Sequence, residues 1–389
     1  MKKLISILGS TGSVGLNSTT IIDKNKNYFQ PHIFIANKNF KKICLQIRKF
    51  KPIFFIINDQ KTYQKISKKF KKSKTKILSD FDLIKSKKKS DITISALPGI
   101  AGLQPTMKMI KLSKKILLAN KETVICGWDL IKKAAKKNNV KIIPVDSEHF
   151  AIMRLLKNYK INEINKIYLT ASGGPFLNYK LADLKKIKPN EALNHPKWKM
   201  GKKISVDSST LMNKILELIE AQKLFNLPNK KLEILIHPNS LVHAIIELKN
   251  GLMEFIYHET SMIIPLANGI FDGKLDIKKY FKVKKKGFKK IQDLFFREVD
   301  PKIFPIIKIK KRINEYPSTP IIINASNEIL VDRFLQKKIP FLRINSTIMD
   351  ILNDRNYKKY AIRHPINFNE IYKIDAWARQ ATIEKVRND

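Results

Sequence analysis

The chain has 389 residues, 43% of them hydrophobic, which suits a folded protein of two or three domains rather than a disordered one. Its formal net charge is +43, from 76 Lys and Arg against 33 Asp and Glu. The two cysteines, Cys44 and Cys126, are too few for a disulfide framework or a four-thiolate zinc site. Because no stretch reaches the ~18 apolar residues of a membrane span, we expect no membrane association.

The positive charge comes mostly from lysine, with 66 Lys and ten Arg. Nucleic-acid-binding proteins rely on the bidentate guanidinium of arginine for base and phosphate contacts. The chain is also rich in Ile, Asn and Phe, which A+T-rich codons favour together with Lys. We therefore interpret the charge as a lysine-enriched surface and expect no nucleic-acid partner. A basic nucleic-acid-binding surface is the alternative.

The first elements of the chain indicate a nucleotide-binding domain. Residues 1–8 read as a buried strand, residues 9–15 (GSTGSVG) as a glycine-rich turn, and a helix is predicted from about Val14. Glycines let the backbone approach a pyrophosphate, and the free N–H groups of a helix N-terminus attract its charge. Glycine runs also occur in ordinary turns. Because the apolar run is too short for a signal peptide, we expect a cytoplasmic protein.

The end of the second predicted strand, residues 32–36, bears on the choice of nucleotide. An NAD site places Asp or Glu there, on the ribose 2′-hydroxyl. The sequence instead has Asn37, Lys38 and Asn39, and a cation with two amides suits a 2′-phosphate. We therefore predict NADP rather than NAD. The alternative is that Lys38 is simply one more surface lysine.

Further short apolar runs alternate with helical stretches, which is typical of a parallel sheet with helices on both faces. We predict that this domain extends to about residue 150. The lysine-rich segments 68–76 and 85–89 fall between the elements and read as solvated surface. The additional predicted strands are 52–57, 91–96, 115–119 and 140–145.

Candidate metal ligands follow the last of these strands, where the chain reads Asp146-Ser147-Glu148-His149. In open α/β sheets, ligands bind beyond the carboxyl ends of the strands. Two carboxylates at that place suit a hard divalent cation such as Mg²⁺ or Mn²⁺. The same pattern is common at the N-cap of a helix, which is the alternative interpretation.

Two later stretches suit an anionic ligand. Residues 170–176 (TASGGPF) follow a predicted strand and read as an anion-binding nest or as a tight structural turn. In residues 195–203, Trp198 and Met200 stand among polar residues. They indicate either a lid that closes over a ligand or a loop that packs onto the body of the protein.

The helix after this loop carries a trio of polar groups. We expect Asp207 or Ser208 to be its N-cap. Asn213 and Glu217 are four residues apart and so share one helical face, which Lys214 flanks. An amide, an ammonium and a carboxylate suit a site that holds a phosphate and a metal, although ordinary helix surfaces also carry such trios.

Together these motifs resemble one family, the 1-deoxy-D-xylulose 5-phosphate reductoisomerases. They occur in the order and spacing of that family and cover the chain from end to end. The motifs are GSTGSVG (9–15), LLANKET (117–123), PVDSEH (144–149), TASGGPF (170–176), HPKWKMGKKISVDSSTLMNK (195–214) with Glu217, LIHPNSLVH (235–243) and NASNE (324–328).

The resemblance implies a reaction and a set of site residues. The reaction is the reductive isomerisation of 1-deoxy-D-xylulose 5-phosphate to 2-C-methyl-D-erythritol 4-phosphate in the non-mevalonate isoprenoid pathway, with NADPH and Mg²⁺ or Mn²⁺, or also Co²⁺. The implied metal ligands are Asp146, Glu148 and Glu217, which are catalytic together with Lys214. The implied substrate-binding residues are Ser147, Glu148, Ser172, His195, Trp198, Ser208, Asn213, Lys214 and Glu217. The implied cofactor-binding residues are Thr11, Gly12, Ser13, Val14, Ala36, Asn37, Lys38, Asn39, Asn120, Lys121, Glu122, Gly201 and Met262.

The resemblance also implies an α/β architecture in three parts, assembled as a homodimer. A Rossmann-like parallel-sheet domain for NADPH spans 1–150, and a connective α/β (α+β) catalytic and dimerisation domain spans 151–285. A linker at 286–299 leads to a C-terminal helical domain at 300–389. The sequence departs from the family at five positions, which are Asn37 for Gly, Ser209 for Ala, Ile215 for Gly, Ser261 for Asp and Ile263 for Arg.

The nearest enzymatic alternative is another NADP-dependent dehydrogenase with a glycine-rich turn, such as a semialdehyde dehydrogenase. That class needs a nucleophilic cysteine. Cys126 stands in an apolar context that predicts an inert thiol.

Overall fold

The computed structural model describes residues 1–84, 88–198, 200–280 and 294–387. They fold into two compact units. The first contains the described residues of 1–123, 131–146 and 262–280, and the second contains those of 124–130, 147–261 and 294–387. Part of the lysine-rich segment 85–89 and most of the predicted linker at 286–299 lie outside the described residues. The predicted three-part domain boundaries stay a prediction.

A seven-stranded sheet forms the centre of the first unit. In chain order its strands are β1 (Lys3–Leu8), β2 (Phe29–Ala36), β3 (Phe54–Ile57), β4 (Lys76–Leu78), β5 (Ile92–Ser95), β6 (Lys115–Leu118) and β7 (Lys141–Pro144). They lie in the order β4-β3-β2-β1-β5-β6-β7, and every neighbouring pair is parallel. The connecting helices are α1 (Ser13–Lys24), α2 (Phe40–Phe50), α3 (Gln60–Lys69), α4 (Leu103–Lys111) and α5 (Lys121–Lys137).

The strands of this sheet are apolar along their whole length because a parallel sheet is buried on both faces. One core cluster joins Leu8, Ile33, Ile35 and Phe54 to Met109 of α4. The strands predicted from the sequence are confirmed. The sequence prediction missed β4. This strand lies at the sheet edge and has only three residues, the first of which is Lys76, so it shows little apolar pattern.

The strand order reverses between β1 and β5. In folds of this class, ligands bind in the crevice beyond the carboxyl ends of the strands at such a reversal. The chain leaves β1 through Gly9, whose φ is +85° and whose added Cβ would lie 2.5 Å from the carbonyl oxygen of Ala96, just after β5. Only glycine fits this close approach of two backbones.

A five-stranded mixed sheet forms part of the second unit. After helix α6 (Ser147–Leu155), its strands in chain order are β8 (Ile164–Ala171), β9 (Leu232–Ile236), β10 (Val242–Leu248), β11 (Met253–Tyr257) and β12 (Arg297–Glu298). The order is β11-β10-β8-β9-β12, with β8 and β9 parallel and the other pairs antiparallel. Between β8 and β9 lie α7 (Leu181–Leu184), α8 (Pro189–Leu193), α9 (Lys202–Ser209) and α10 (Met212–Phe225).

The junction of α9 and α10 differs from the sequence prediction. Asp207 and Ser208 were expected to cap α10, but both lie inside α9. The chain turns at Leu211, which adopts a left-handed conformation (φ +65°) and is almost fully buried. A left-handed conformation is unfavourable for leucine, so the sequence gives no reason to expect a helix break at this residue.

Helices complete both units. Helix α11 (Ile263–Phe271) belongs to the first unit and packs against α1 and β6. In the second unit, α12 packs against α13 and α15. The C-terminal helices are α12 (Thr319–Leu335), α13 (Arg343–Leu352), α14 (Tyr357–Ala361) and α15 (Phe368–Lys385).

The predicted fold class is confirmed, with a Rossmann-like parallel sheet, a second mixed sheet and a C-terminal helical region. Within the described ranges, no helix combines the length and apolar composition needed to cross a bilayer.

Candidate active site

The glycine-rich turn after β1 presents an open helix N-terminus. Gly12 is the N-cap of α1, and because glycine has no side chain, the N-cap residue offers no side-chain oxygen to the first N–H groups of the helix. A Cβ on Gly15 would lie 2.3 Å from the carbonyl oxygen of Gly9, so the turn and the helix approach each other closely. The first helical turn, which includes Ser13 and Val14, has no acidic residue. This geometry suits a pyrophosphate.

The loop after β2 carries the residues predicted to determine the preference for NADP over NAD. Ala36 is buried at the end of the strand, whereas Asn37, Lys38 and Asn39 are exposed. The Asn39 side chain caps α2 by accepting from the backbone N–H of Lys42 at 3.1 Å. The loop therefore offers amide and ammonium groups beside a helix N-terminus, with no carboxylate from Ala36 to Asn39 to bind a ribose hydroxyl.

The motif LLANKET gives a rigid support beyond β6. The buried Asn120 caps α5 by accepting from the N–H of Thr123 at 3.0 Å. Its amide nitrogen donates to the carbonyl oxygen of Leu97 at 2.6 Å and to Glu122 at 2.9 Å. Because the side chain joins the ends of β5 and β6, replacing Asn120 would loosen this edge of the sheet.

An ion pair lies beside this support. Lys121 Nζ is 3.4 Å from a carboxylate oxygen of Asp146, and both side chains are largely buried. Asp146 follows β7 and is the last residue of its segment of the first unit. Met262, which the resemblance implies as a cofactor contact, is partly buried and immediately precedes α11.

Two glutamates and a lysine form a largely buried charged cluster in the second unit. Lys214 Nζ lies 2.6 Å from Glu217 Oε2 and also contacts Glu148 Oε1. Asn213 donates to the second oxygen of Glu217, and the hydroxyl of Ser147 donates to Glu148 at 2.6 Å. Glu217 is 1% exposed. Two carboxylates thus share one ammonium.

The cluster depends on the helical spacing of α10. Asn213, Lys214 and Glu217 are separated by three and four residues, so their side chains meet on one face, as the sequence predicted. Two departures from the family lie nearby. Ile215 is fully buried, and Ser209 donates its hydroxyl to the carbonyl oxygen of Val206 at 2.8 Å. Both therefore fit this structure.

The motif TASGGPF folds into a tight turn beside α9. Gly173 and Gly174 have φ values of +81° and +64°. A Cβ on Gly174 would lie 3.0 Å from the carbonyl oxygen of Ser208. The turn that carries Ser172 thus packs closely against the backbone of Ser208, and the positive φ and the short distance favour glycine at position 174. The Ser172 hydroxyl oxygen accepts from the N–H of Gly174 at 3.0 Å.

The hydrogen bonds of His195 fix its tautomer. Its Nδ1 accepts from the backbone N–H groups of Lys197 and Trp198 at 3.1 and 2.9 Å. The proton of the neutral ring must then lie on Nε2, which donates to the Ser172 hydroxyl oxygen at 2.9 Å. Burial, together with the charge of Lys214, lowers the pKa of His195 to about 4. Because the Ser172 oxygen already accepts two hydrogen bonds, its own proton is oriented towards another acceptor.

Some contacts were not expected from the sequence. Trp198 packs edge-on against the ring of His243, at 6.2 Å between centroids, and His243 stacks on His258 at 3.7 Å. Asn327, in the motif NASNE, donates to the buried carboxylate of Asp207 at 2.7 Å. The motifs LIHPNSLVH and NASNE thus support the loop and the helices of the site. Gly201 is the N-cap of α9, and among the described residues a Cβ added there would meet no atom within 4 Å.

Comparisons with known proteins identify the family of the chain. Residues 5–127 match the family description "1-deoxy-D-xylulose 5-phosphate reductoisomerase", residues 142–225 its C-terminal domain, and residues 259–381 the DXP reductoisomerase C-terminal domain. Among curated proteins, the chain is 42% identical to the reductoisomerase of Pelagibacter ubique, covering 96% of this chain and 97% of that protein. It is 39% identical to the reductoisomerase of Clostridium novyi, covering 90% and 92%.

Solved structures extend the match to three dimensions. A crystal structure of a DOX-P reductoisomerase in complex with NADPH, fosmidomycin and magnesium is similar with a TM-score of 0.88 and 30% identity, over 99% of this chain and 98% of the other. The enzyme from Zymomonas mobilis in complex with NADPH is similar with a TM-score of 0.87 and 29% identity, over 99% of both chains. The chain therefore belongs to the 1-deoxy-D-xylulose 5-phosphate reductoisomerase family.

Proposed function

We propose that this chain converts 1-deoxy-D-xylulose 5-phosphate to 2-C-methyl-D-erythritol 4-phosphate by reductive isomerisation, with NADPH and a divalent metal. The observation that carries the proposal is the buried cluster in which Glu148 and Glu217 share the ammonium of Lys214. Largely buried carboxylates stay charged only where positive charge lies beside them. The cluster therefore suits both a metal and an anionic substrate that engages the lysine.

Glu148 and Glu217 fit a metal because carboxylate oxygens are the ligands that Mg²⁺ and Mn²⁺ prefer. The ammonium of Lys214 already stands in for a cation between them. We assign Asp146 as the third ligand, since it precedes Glu148 by two residues. When bound, a divalent cation, Mg²⁺, Mn²⁺ or also Co²⁺, polarises the substrate carbonyl and stabilises an oxyanion.

The phosphate of the substrate is assigned to the turn and helices beside this cluster. Ser172 offers a hydroxyl proton because its oxygen accepts from Gly174 and His195. His195 is neutral at pH 7 and holds the Ser172 hydroxyl in place. We assign the substrate-binding residues as Ser147, Glu148, Ser172, His195, Trp198, Ser208, Asn213, Lys214 and Glu217.

NADPH is assigned to the carboxyl edge of the parallel sheet. The open N-terminus of α1 suits its pyrophosphate, and the exposed amides and ammonium after β2 suit its 2′-phosphate. When bound, the cofactor supplies a hydride. We assign the contacts as Thr11, Gly12, Ser13, Val14, Ala36, Asn37, Lys38, Asn39, Asn120, Lys121, Glu122, Gly201 and Met262.

We propose that two copies of the chain associate through the sheet of the second unit. β11 lies at the edge of that sheet and exposes the side chains of Met253 (59%), Phe255 (44%) and Tyr257 (37%). An exposed apolar edge strand supports association with another chain. The cytoplasmic location and the absence of a nucleic-acid partner stay predictions.

The proposal is tested with Glu217→Gln, which keeps the shape of the side chain but removes its charge. We expect turnover of NADPH with 1-deoxyxylulose 5-phosphate and Mg²⁺ to fall at least a hundredfold, because a metal ligand is lost, while NADPH affinity stays within twofold. The exposed Glu384→Gln is the matched control and should retain wild-type turnover. Full activity of Glu217→Gln would contradict the assigned role.

A further inference from the structure

We propose that Lys42 is a second cation of the NADPH 2′-phosphate site and a determinant of the preference for NADPH over NADH. The inference rests on the proposed function and concerns a residue outside the motifs that indicated the family. It is carried by the position of the Lys42 ammonium, which lies 3.2 Å from the carbonyl oxygen of Thr11.

The contact joins the two loops that surround an adenosine in this class of fold. Thr11 lies in the turn after β1, and Lys42 lies in the first turn of α2, which follows β2. β1 and β2 are parallel neighbours, with Leu8 opposite Ile35 at their carboxyl ends. In dinucleotide-binding folds, the ribose next to the adenine lies between these loops, and a basic residue there accommodates a 2′-phosphate. Lys42 therefore stands where the 2′-phosphate is expected.

The cap of α2 holds the backbone of Lys42 in place, which restricts where its side chain can reach. Its N–H donates to the side chain of Asn39, which caps α2. Its ammonium donates to the carbonyl oxygen of Thr11, which is 31 residues away in sequence. The backbone carbonyl it contacts is neutral, and within the described parts of the chain no carboxylate forms an ion pair with Lys42. The charge of Lys42 is therefore available to a phosphate.

Lys38, the cation predicted from the sequence, is in a different electrostatic situation. It lies close enough to Asp59 to contribute, after the hydrogen bonds from Thr62, to lowering the pKa of that carboxyl. Lys38 thus lies near a carboxylate, whereas the ammonium of Lys42 contacts a neutral carbonyl oxygen. We infer that Lys42 supplies charge that Lys38 alone does not.

The experiment measures the affinity of the full-length protein for NADPH and for NADH through the fluorescence of the nicotinamide, in wild type, Lys42→Met and Lys41→Met. Lys41 is the matched control because it is an exposed neighbour on the same helix. We expect Lys42→Met to weaken NADPH binding about tenfold and to change NADH binding less than twofold, since a charge-assisted contact to a phosphate is lost. Lys41→Met should change neither.

Two further measurements exclude indirect effects of the substitution: a rescue variant, and competition by the cofactor fragment 2′,5′-ADP. Lys42→Arg should retain the preference for NADPH, because it keeps the charge. Competition by 2′,5′-ADP should weaken in Lys42→Met, whereas competition by ADP should not. Equal loss of NADPH and NADH affinity, or no loss of either, would overturn the role of Lys42. A wild-type protein that did not prefer NADPH would overturn the proposed cofactor as well, so the two failures are distinguishable.

Discussion

Lys214→Met gives the most informative perturbation of the charged cluster. The substitution keeps most of the apolar stem of the side chain but removes the ammonium that contacts Glu148 and Glu217. Removing one partner of a buried ion pair costs roughly 3–5 kcal/mol, because the remaining charge stays buried. Glu217 is 1% exposed, whereas Glu148 reaches solvent more. We therefore expect the metal-free protein to lose about 3 kcal/mol of unfolding free energy.

The same variant should respond more strongly to metal than wild type. A divalent cation replaces the missing positive charge, and a ligand at a hundred times its dissociation constant stabilises a folded protein by about 2.7 kcal/mol. We expect Mg²⁺ to restore most of the lost stability, with affinity equal to or above that of wild type, while turnover falls at least a hundredfold.

The assay is urea-induced unfolding in EDTA and in a Mg²⁺ series. Lys230→Met, which removes an exposed lysine, is the control and should behave as wild type. Two results would refute the reasoning. One is an unchanged denaturation midpoint in EDTA, and the other is a loss of Mg²⁺ affinity in Lys214→Met that parallels the loss of activity.

Two further predictions concern the phosphate site. Burial lowers the pKa of His195 to about 4 in the folded protein, whereas its pKa in the unfolded chain is about 6.5. As the pH falls below about 6.5, the imidazole is therefore protonated in the unfolded chain before it is protonated in the folded protein. Stability should therefore fall between about pH 6.5 and 4, and the fall in denaturation midpoint should be shallower in His195→Asn; equal slopes would contradict this. Gly174→Ala should raise the substrate KM at least tenfold and leave NADPH affinity unchanged, because its Cβ would meet Ser208 at 3.0 Å. Gly251→Ala, also at positive φ but with open space, should keep the wild-type KM, and a matching rise there would refute the steric argument.

The sequence predicted the parts of the fold that repeat a local pattern. The strands of the parallel sheet are continuous apolar runs, so their positions could be read directly. The meeting of Asn213 and Glu217 followed from helical periodicity alone. The assignment of Asp207 as a helix cap was wrong, because the break depends on the left-handed Leu211, which tertiary packing holds in place.

The contacts that support the site could not be predicted because they join distant parts of the chain. Asp207 is held by Asn327, 120 residues away, and no local pattern links the two. In the sequence Lys42 is one of 66 lysines, and only its contact with Thr11 in the structure distinguishes it. The bridging of Glu148 by Lys214 likewise depends on the packing of two helices rather than on spacing.

The central claim is that this chain reduces and isomerises 1-deoxy-D-xylulose 5-phosphate with a metal held by its carboxylates. The most direct measurement follows NADPH absorbance with the purified protein, this substrate and Mg²⁺, and identifies the product. We predict oxidation of one NADPH for each 2-C-methyl-D-erythritol 4-phosphate formed, abolished by EDTA and restored by added Mg²⁺ or Mn²⁺. Folded protein that oxidised no NADPH under these conditions, or did so equally in EDTA, would contradict the claim.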